Sequence, residues 1–395
     1  MKKRLFKGAT VCFEGYTEYC DIADADGVIT EIGSNISSEG YDAVYDLRNC
    51  ILLPGLADVH VHFREPGYSY KETVSTGSLA AAKGGYTAVY TMPNLSPAPD
   101  GEDTLKEVLA PIEREGRIKI YPIGTISKGR KGVLPADYGY LKGRVCAISD
   151  DGDGVNAELM EAALQSGMLV ASHCEDKAYP HPEAEWRYLE RDLELVRKYR
   201  TPYHACHISC KKSVELIRAA KAEGLPVTAE TAPHYILLST EDRKDSGDYK
   251  MNPPLGTPED MEAVKWGFED GTLDIIATDH APHSAKEKSG GYAASVNGIV
   301  GLETAFALLY TNGYSPEMLA ERMSRLPRRI FGLEPAQIKV GEKTNFTAFD
   351  TVNTFTVDPE CFLSKGRSTP FAGLELKGET ILTVYGKEVV YEKNR

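Results

Sequence analysis

The feature that most constrains the fold is an alternation of short apolar runs with helical patterns through the middle of the chain. Helical patterns lie between several of the runs, at 74–83, 104–114, 157–165, 185–198, 212–222 and 258–269. Eight runs have the length and apolar content of buried strands, and they cover residues 51–62, 86–92, 118–124, 145–149, 169–173, 203–208, 227–229 and 273–278. Eight buried strands that alternate with helices predict an α/β fold of the (β/α)8 or TIM-barrel type.

The two ends of the chain have a different texture. Residues 1–50 contain short β-type runs separated by clusters of Gly, Asp, Asn and Ser, and similar runs return near the carboxyl terminus. Gly386 and Lys387 separate two of the later runs and predict a hairpin with a two-residue turn. Each end is small for a stable sheet, so we expect the ends to pair. The predicted domains are a composite β-sandwich domain from 1–50 and 340–395, and a barrel over 51–339.

Composition narrows the class of protein. The chain has 395 residues, enough to bury a large core, and its 58 acidic against 45 basic residues give a formal charge of -13. This charge argues against nucleic acid or an anionic membrane surface as a partner. The eight cysteines are scattered, which predicts reduced thiols in a cytoplasm rather than a disulfide framework. We find no apolar window suited to a signal peptide or a membrane span, so a cytoplasmic protein without membrane contact is expected.

Potential metal ligands follow the ends of five predicted strands. His60 and His62 end the first strand, and side chains two residues apart on a strand share a face. The other four strands end in or run into Asp150 and Asp151, His173 and Glu175, His204 and His207, and Asp279, His280 and His283. A lone histidine at a strand end is usually structural, but polar clusters at the carboxyl ends of five barrel strands indicate a metal site. Four imidazoles and two carboxylates exceed the need of one zinc ion and fit two ions that share a carboxylate.

The residues alone leave alternatives open within these clusters. His204 and His207 compete for one place, and being three apart they point to opposite faces of a strand. Either Asp150 or Asp151 can supply the shared carboxylate. His234 follows the seventh strand, and a structural or supporting role is favoured for it.

Several other candidates are interpreted as structural. Cys174 and Cys206 adjoin candidate ligands and are expected to face the opposite way as small buried residues. A metal site formed by Cys206 and Cys210 is disfavoured because no second cysteine pair has matching spacing. His181 is expected to be solvated in a polar loop, and His280 to face away from its neighbour Asp279.

Seven segments together resemble class I dihydroorotases of the amidohydrolase superfamily. They are HVHFREPGYSYKET at 60–73, MPN at 92–94, DDG at 150–152, HCED at 173–176, NPPL at 252–255, ATDHAPH at 277–283 and GIVG at 298–301. The resemblance runs from about residue 50 to about residue 335 and extends loosely to both ends. It implies the composite β-domain, and it implies the reversible cyclisation of N-carbamoyl-L-aspartate to L-dihydroorotate in pyrimidine (UMP) biosynthesis.

The resemblance also implies a ligand set for two zinc ions and a bridging hydroxide. It gives His60 and His62 to the first ion, His173 and His207 to the second, Asp151 to both as the bridge, and Asp279 to the first ion and to general acid/base catalysis. Relatives such as hydantoinases and allantoinases bridge instead with a carbamylated lysine at the end of strand four. Lys142 lies at the start of that strand, so the aspartate is favoured here.

The substrates carry a carboxylate that does not react, which calls for a cationic fork and neutral donors. By resemblance, Arg64, Asn94 and His283 contact this carboxylate, and Asn252, Asn297 and Gly298 contact the ring. The segment 284–291 is either a mobile lid or a solvated surface loop. Expected partners are the small-molecule substrate and either a second copy in a homodimer or aspartate transcarbamoylase. Two other functions stay open: another cyclic amidohydrolase, of allantoinase or hydantoinase type, and a catalytically silent partner of that transcarbamoylase.

Overall fold

A computed structural model describes residues 2–393 of the chain. Its strands lie in two groups, one at the chain ends and one in the middle. In chain order the strands of this part are β1 Lys3–Cys12, β2 Thr17–Ala25, β3 Val28–Gly33, β4 Ala43–Asp46, β5 Cys50–Pro54, β6 Leu56–Val61, β7 Tyr86–Thr91, β8 Lys119–Pro122, β9 Ala147–Ile148, β10 Leu169–Ser172, β11 Tyr203–Ala205, β12 Val227–Thr231, β13 Ile275–Ile276, β14 Asn345–Thr356, β15 Glu375–Tyr385 and β16 Glu388–Glu392.

The strands of both chain ends form one mixed sheet, in the order β16-β15-β14-β5-β1-β2-β3 with β4 also paired to β1. The two ends meet where β5 pairs antiparallel with β14. The predicted hairpin is confirmed, because β15 and β16 pair across a turn of Gly386 and Lys387. Gly386 has φ +58°, a left-handed conformation that glycine adopts at little cost. Phe6, Phe346 and Leu382 are buried in the core of this domain.

The middle strands close into a ring of eight parallel strands. Strands β6-β7-β8 form one parallel sheet and β9 to β13 form another. Parallel bridges join the two sheets, Gly124 to Ile148 on one side and Val61 to His280 on the other. The barrel predicted from the alternation is therefore confirmed, with strands mostly shorter than the apolar runs that predicted them.

One expected strand is wrong. The apolar run 51–62 is two strands, since β5 belongs to the mixed sheet and β6 begins the barrel. Gly55 separates them, and a Cβ atom there would lie 2.2 Å from Asn345 Oδ1 and 2.3 Å from Thr87 Oγ1. The chain thus turns from one sheet into the other at a point too crowded for a side chain.

Helices follow most of the barrel strands, and three of the six predicted helices have the expected bounds. They begin at well-formed caps: Thr73 caps the first helix, Asn156 the fourth and Thr257 the eighth, each through its side-chain oxygen. The α-helices of the described part are α1 Val74–Lys83, α2 Glu102–Glu115, α3 Tyr138–Leu141, α4 Ala157–Gln165, α5 Glu183–Tyr199, α6 Lys211–Ala222, α7 Pro233–Leu237, α8 Pro258–Glu269, α9 Ala285–Lys288, α10 Gly291–Ala294, α11 Ala305–Thr311, α12 Pro316–Ala320 and α13 Leu326–Ile330.

Buried apolar side chains pack the barrel strands against one another and against the helices. The largest cluster of buried residues includes Val170 of β10 and Ile217 of α6. A second cluster gathers Tyr90, Ile275 and Phe331, and the Tyr90 hydroxyl donates to the Phe331 carbonyl at 3.0 Å. Strand ends fixed in this way can hold polar side chains in a constant arrangement. Between residues 2 and 393, no helix combines the length and apolar character that crossing a bilayer requires.

Candidate metal centre

Six of the predicted site residues converge at the carboxyl ends of the barrel strands. They come from five different strand ends, and all are buried. They are His60 in β6 and His62 just after it, Asp151 after β9, His173 after β10, His207 after β11 and Asp279 after β13. A barrel has no packing reason to bury four imidazoles and two carboxylates at one end, so this cluster is the candidate functional site.

Asp151 lies at the middle of the cluster. Its Oδ1 is 3.2 Å from His60 Nε2 and 3.5 Å from both His173 Nδ1 and His207 Nε2. Its Oδ2 is 3.5 Å from His62 Nε2. One carboxylate thus faces both predicted histidine pairs, which is the position of a bridging ligand.

Asp150, the alternative bridge, has a different environment. Its Oδ1 accepts hydrogen bonds from the backbone N–H of Ile126 at 2.9 Å and of Ser127 at 3.1 Å. Its other oxygen accepts from the Ser127 hydroxyl. Asp150 therefore ties the chain after β9 to the chain after β8.

Asp279 is the second aspartate beside His60 and His62. Its Oδ1 is 3.0 Å from His62 Nε2 and 3.5 Å from His60 Nε2. The backbone is left-handed at Asp279, His207 and Arg64, with φ of +47°, +33° and +58°. Residues with side chains rarely adopt this conformation, and strained backbone of this kind concentrates at functional sites.

The histidines and carboxylates of the cluster shift one another's pKa values. Burial alone would lower the pKa of His60, but the carboxylates of Asp151, Glu230 and Asp279 raise that pKa well above its usual value. Burial would likewise raise the pKa of Asp151 and Asp279, yet the surrounding histidines, His60 first, hold both carboxyl pKa values below the usual range. Both aspartates are therefore ionised near neutral pH.

The nitrogen and oxygen atoms of the cluster do not satisfy one another by hydrogen bonds, and their arrangement suits metal ions. Among the described residues no aligned hydrogen bond reaches His60 Nε2 or Asp151 Oδ1, although both atoms are buried. His173 Nδ1 and His207 Nε2 lie only 2.8 Å apart. Ligand atoms of His60, Asp151 and His207 lie within 4.8 Å of one another, as do those of His60, His62 and Asp279. Imidazole nitrogens and carboxylate oxygens around shared centres match the ligands that zinc takes.

Glu230 is a site residue that the sequence reasoning missed. It is buried in β12, and its Oε1 is 2.6 Å from His60 Nδ1. This contact leaves His60 Nε2 free to face the cluster, which is the usual arrangement for a metal-binding histidine held by a carboxylate. The predicted strand 227–229 ended one residue before Glu230. A charged residue directly after an apolar run is the sequence feature that could have identified Glu230 as a site residue.

Asn94 and Asn252 hold other histidines of the cluster. Asn94 Oδ1 is 2.6 Å from His62 Nδ1, and its Nδ2 donates to Asp151 Oδ2 at 3.3 Å. Asn252 Nδ2 lies 3.3 Å from His173 Nε2. Both predicted substrate contacts therefore also orient candidate metal ligands.

The remaining histidines differ in their surroundings. His204 is buried between Thr228 Oγ1 at 2.8 Å and Glu230 Oε2 at 3.1 Å, outside the cluster. His234 is buried with Nε2 unpaired among the described residues, and burial lowers its pKa to about 4. The expectation that His181 is solvated is wrong, because its Nε2 is 2.9 Å from Ser209 Oγ and its side chain is only 14% exposed.

A cationic region, called here the cationic subsite, adjoins the cluster at Arg64 and His283. The Arg64 guanidinium is buried, and none of the ion pairs within residues 2–393 includes it. Its Nε donates to the Pro282 carbonyl at 3.4 Å and its Nη2 is 3.4 Å from His283 Nε2. Burial, Arg64 and Lys71 lower the pKa of His283 to about 3, so its ring is neutral near pH 7.

The last two predicted contacts and the adjoining segment lie near His283. A Cβ atom on Gly298 would lie 2.9 Å from His283 Cδ2, and Gly298 N–H donates to the Lys250 carbonyl. Asn297 is exposed. The segment 284–291 contains α9, and buried Lys288 donates through Nζ to the carbonyls of Lys250, Val296 and Gly298. This segment is anchored on its inner side and is not a purely solvated loop.

Comparisons with known proteins agree with this architecture. A family model described as "Dihydro-orotase-like" matches residues 49–224. The chain is 39% identical to a dihydroorotase of Geobacillus sp. (strain WCH70) over 97% of each chain. It is 39% identical to a dihydroorotase of Lactobacillus acidophilus over 99% of each.

Solved structures share the fold at lower identity. The L-hydantoinase (dihydropyrimidinase) from Arthrobacter aurescens has a TM-score of 0.91 at 24% identity, covering 100% of this chain and 97% of that one. The dihydropyrimidinase from Brevibacillus agri NCHU1002 has a TM-score of 0.86 at 21% identity, covering 99% and 95%. These likenesses establish a TIM barrel with a β-sandwich domain.

Proposed function

Because this chain belongs to the dihydroorotase family of the amidohydrolase superfamily, we propose that the cluster at the barrel's carboxyl end interconverts N-carbamoyl-L-aspartate and L-dihydroorotate. The enzyme hydrolyses a cyclic amide and acts in pyrimidine biosynthesis. One observation supports this site above all. A buried cluster of metal-binding residue types lies next to a buried arginine that has no carboxylate partner among the described residues.

The proposal places two zinc ions in the cluster. His60, His62 and Asp279 would hold the first ion, His173 and His207 the second, and Asp151 both. When bound, zinc lowers the pKa of water towards neutrality and polarises a carbonyl group. Glu230 and Asn94 orient His60 and His62 through their Nδ1 atoms, at 2.6 Å each, so that both Nε2 atoms face the aspartates of the cluster and would be available to bind metal.

Asp279 is proposed as the general acid/base. It is ionised because His60 and His62 offset the cost of its burial and lower its pKa. In ring opening, its carboxylate accepts a proton from the attacking water and delivers it to the ring nitrogen that leaves. Cyclisation is the reverse, with Asp279 taking the proton from the attacking nitrogen.

Arg64 and His283 are proposed to bind the carboxylate that does not react. A buried guanidinium without an acidic partner is costly, and a carboxylate ligand would offset that cost through paired, charged hydrogen bonds. Asn94, Asn252 and the chain at Asn297 and Gly298 complete the proposed substrate contacts. Hydantoin and allantoin lack this carboxylate, so the subsite favours dihydroorotate over both.

A substrate panel tests the proposal. Zinc-loaded protein is expected to hydrolyse dihydroorotate far faster than hydantoin, allantoin or dihydrouracil. Faster turnover of hydantoin or allantoin would instead support the related cyclic-amidase function. Absence of turnover of all four, with tight binding to aspartate transcarbamoylase, would support a silent partner subunit.

We place the enzyme in the cytoplasm, where its thiols stay reduced; none of the eight cysteines forms a disulfide. The assembly proposed is either a homodimer or a complex with aspartate transcarbamoylase. Light scattering on the protein alone and with the transcarbamoylase separates them. We propose two domains close to those expected from the sequence, with the first boundary moved from residue 50 to residue 54 because β5 (Cys50–Pro54) belongs to the mixed sheet: 1–54 with 340–395, and 55–339.

A further inference from the structure

Lys71 lies beside His283, in the chain that follows β6. Its Nζ is 3.2 Å from His283 Nδ1 and 2.9 Å from Glu287 Oε1. The same Nζ lies 5.7 Å from the ring centre of Tyr68 and 5.5 Å from that of Tyr70. Its side chain is only 14% exposed. Lys71 is thus a charged group held in one place against the imidazole.

The contact with Lys71 determines which nitrogen of His283 carries the proton. An ammonium group donates hydrogen bonds and accepts none, so His283 Nδ1 must be the acceptor. The proton of the neutral ring is then on Nε2. Glu287 Oε2 would favour the opposite tautomer, but it lies 3.8 Å from Nδ1, beyond hydrogen-bond reach.

The other ring nitrogen faces Arg64. His283 Nε2 and Arg64 Nη2 lie 3.4 Å apart, and both are donors once Nε2 carries the proton. Two donors cannot satisfy each other, whereas an anionic oxygen next to both accepts from each. The opposite tautomer would let Arg64 donate to His283 and would remove one donor from the site.

We propose that Lys71 is a positioning residue that fixes the Nε2–H tautomer of His283, so that His283 and Arg64 present two donors to the substrate's carboxylate. This inference rests on the proposed function, because it concerns binding of the same carboxylate. Glu287 supports it by holding the ammonium group, with the Tyr70 hydroxyl 3.3 Å from Glu287 Oε1.

Steady-state kinetics of three variants test the role. Lys71→Met is expected to raise KM for dihydroorotate roughly tenfold with kcat changed less than about twofold, as for loss of a hydrogen bond to a charged group. Lys71→Arg keeps a donor and restores most of the affinity. Lys286→Met is the matched control, since Lys286 is an exposed lysine of the adjacent helix α9, and its KM stays at the wild-type value. An unchanged KM for Lys71→Met overturns the proposal.

A double-mutant cycle separates positioning from a direct charge effect. If Lys71 acts through His283, then Lys71→Met adds no further rise in KM to His283→Gln. Equal effects in both backgrounds would mean that the ammonium attracts the substrate by itself, which overturns the proposal.

The tautomer can be read without activity. In zinc-loaded protein with ¹⁵N-labelled histidine, the His283 signals are those lost in His283→Gln, and the wild type is expected to show the Nε2–H pattern. Lys71→Met is expected to show a mixture, and thermal melts confirm that the variants fold. A Nδ1–H pattern in the wild type overturns the inference. Wild-type protein that shows the Nε2–H pattern yet does not turn over dihydroorotate would overturn the proposed function alone.

Discussion

The cluster of histidines and aspartates at the strand ends and the neighbouring cationic subsite differ in how their charges are balanced. The cluster stands on strand ends, and its histidines and carboxylates offset one another's charges. The residues of the subsite lie in the loops that follow the strands, and its arginine has no carboxylate partner among the described residues. This difference agrees with the proposal that the cluster carries out the chemistry, which needs fixed geometry, and that the subsite binds an anion.

This division makes a separable prediction: changes in the cluster alter turnover and metal affinity, whereas changes in the subsite alter substrate binding. The largest effect is expected for Asp279→Asn, which keeps the shape of the side chain but removes the proton acceptor. We expect kcat to fall by about a thousandfold, within the range for loss of a general acid/base. Circular dichroism and metal content serve as controls for folding and loading. Near-normal turnover by this variant would rule out the proposed role.

Arg64→Met tests the prediction that changes in the subsite alter substrate binding. Loss of the charged fork should raise KM for dihydroorotate by about a hundredfold, the scale of paired hydrogen bonds to a charged group, with kcat changed much less. Steady-state kinetics at constant zinc measure both. A variant that lost kcat and metal while keeping KM would break the division between the two regions.

Glu230→Gln sharpens the boundary of the cluster. The amide no longer offers a charged acceptor to His60 Nδ1, so zinc affinity is expected to fall roughly tenfold or more, as for other groups that orient a ligand. Zinc titration of metal-free protein with a competing chelator gives the affinity. Glu107→Gln, at an exposed position of α2, is the matched control. Equal affinities for the two variants would remove Glu230 from the site.

The last prediction concerns the pH dependence of stability. His283 has a pKa of about 3 in the folded protein against an ordinary 6.5, so from about pH 6.5 down to about pH 3 the unfolded chain binds a proton that the folded protein does not. Stability is therefore lost as pH falls through this window, by up to about 1.4 kcal/mol per pH unit from this residue. His283→Gln should show a shallower loss in urea unfolding at matched metal content. Identical slopes for the two proteins would contradict the buried, neutral imidazole.

The two regions also differ in how much of their structure could be predicted from the sequence. Strand alternation predicted the barrel, and residues at strand ends, such as His60 and Asp279, could be placed because all carboxyl ends meet at one face. The split at Gly55 was missed because both sheets bury apolar residues, so the run has no break in hydropathy. Lys71 and His283 meet across 212 residues through loops. No periodicity specifies such a contact, and only the folded chain brings the two together.

In the proposed enzyme, one buried cluster holds two zinc ions for turnover of dihydroorotate. The most direct measurement is a titration of metal-free protein with zinc while turnover of dihydroorotate is followed. We predict that activity rises until two equivalents of zinc per chain are bound and then stays constant. Full activity with one equivalent or with none would contradict the two-metal account.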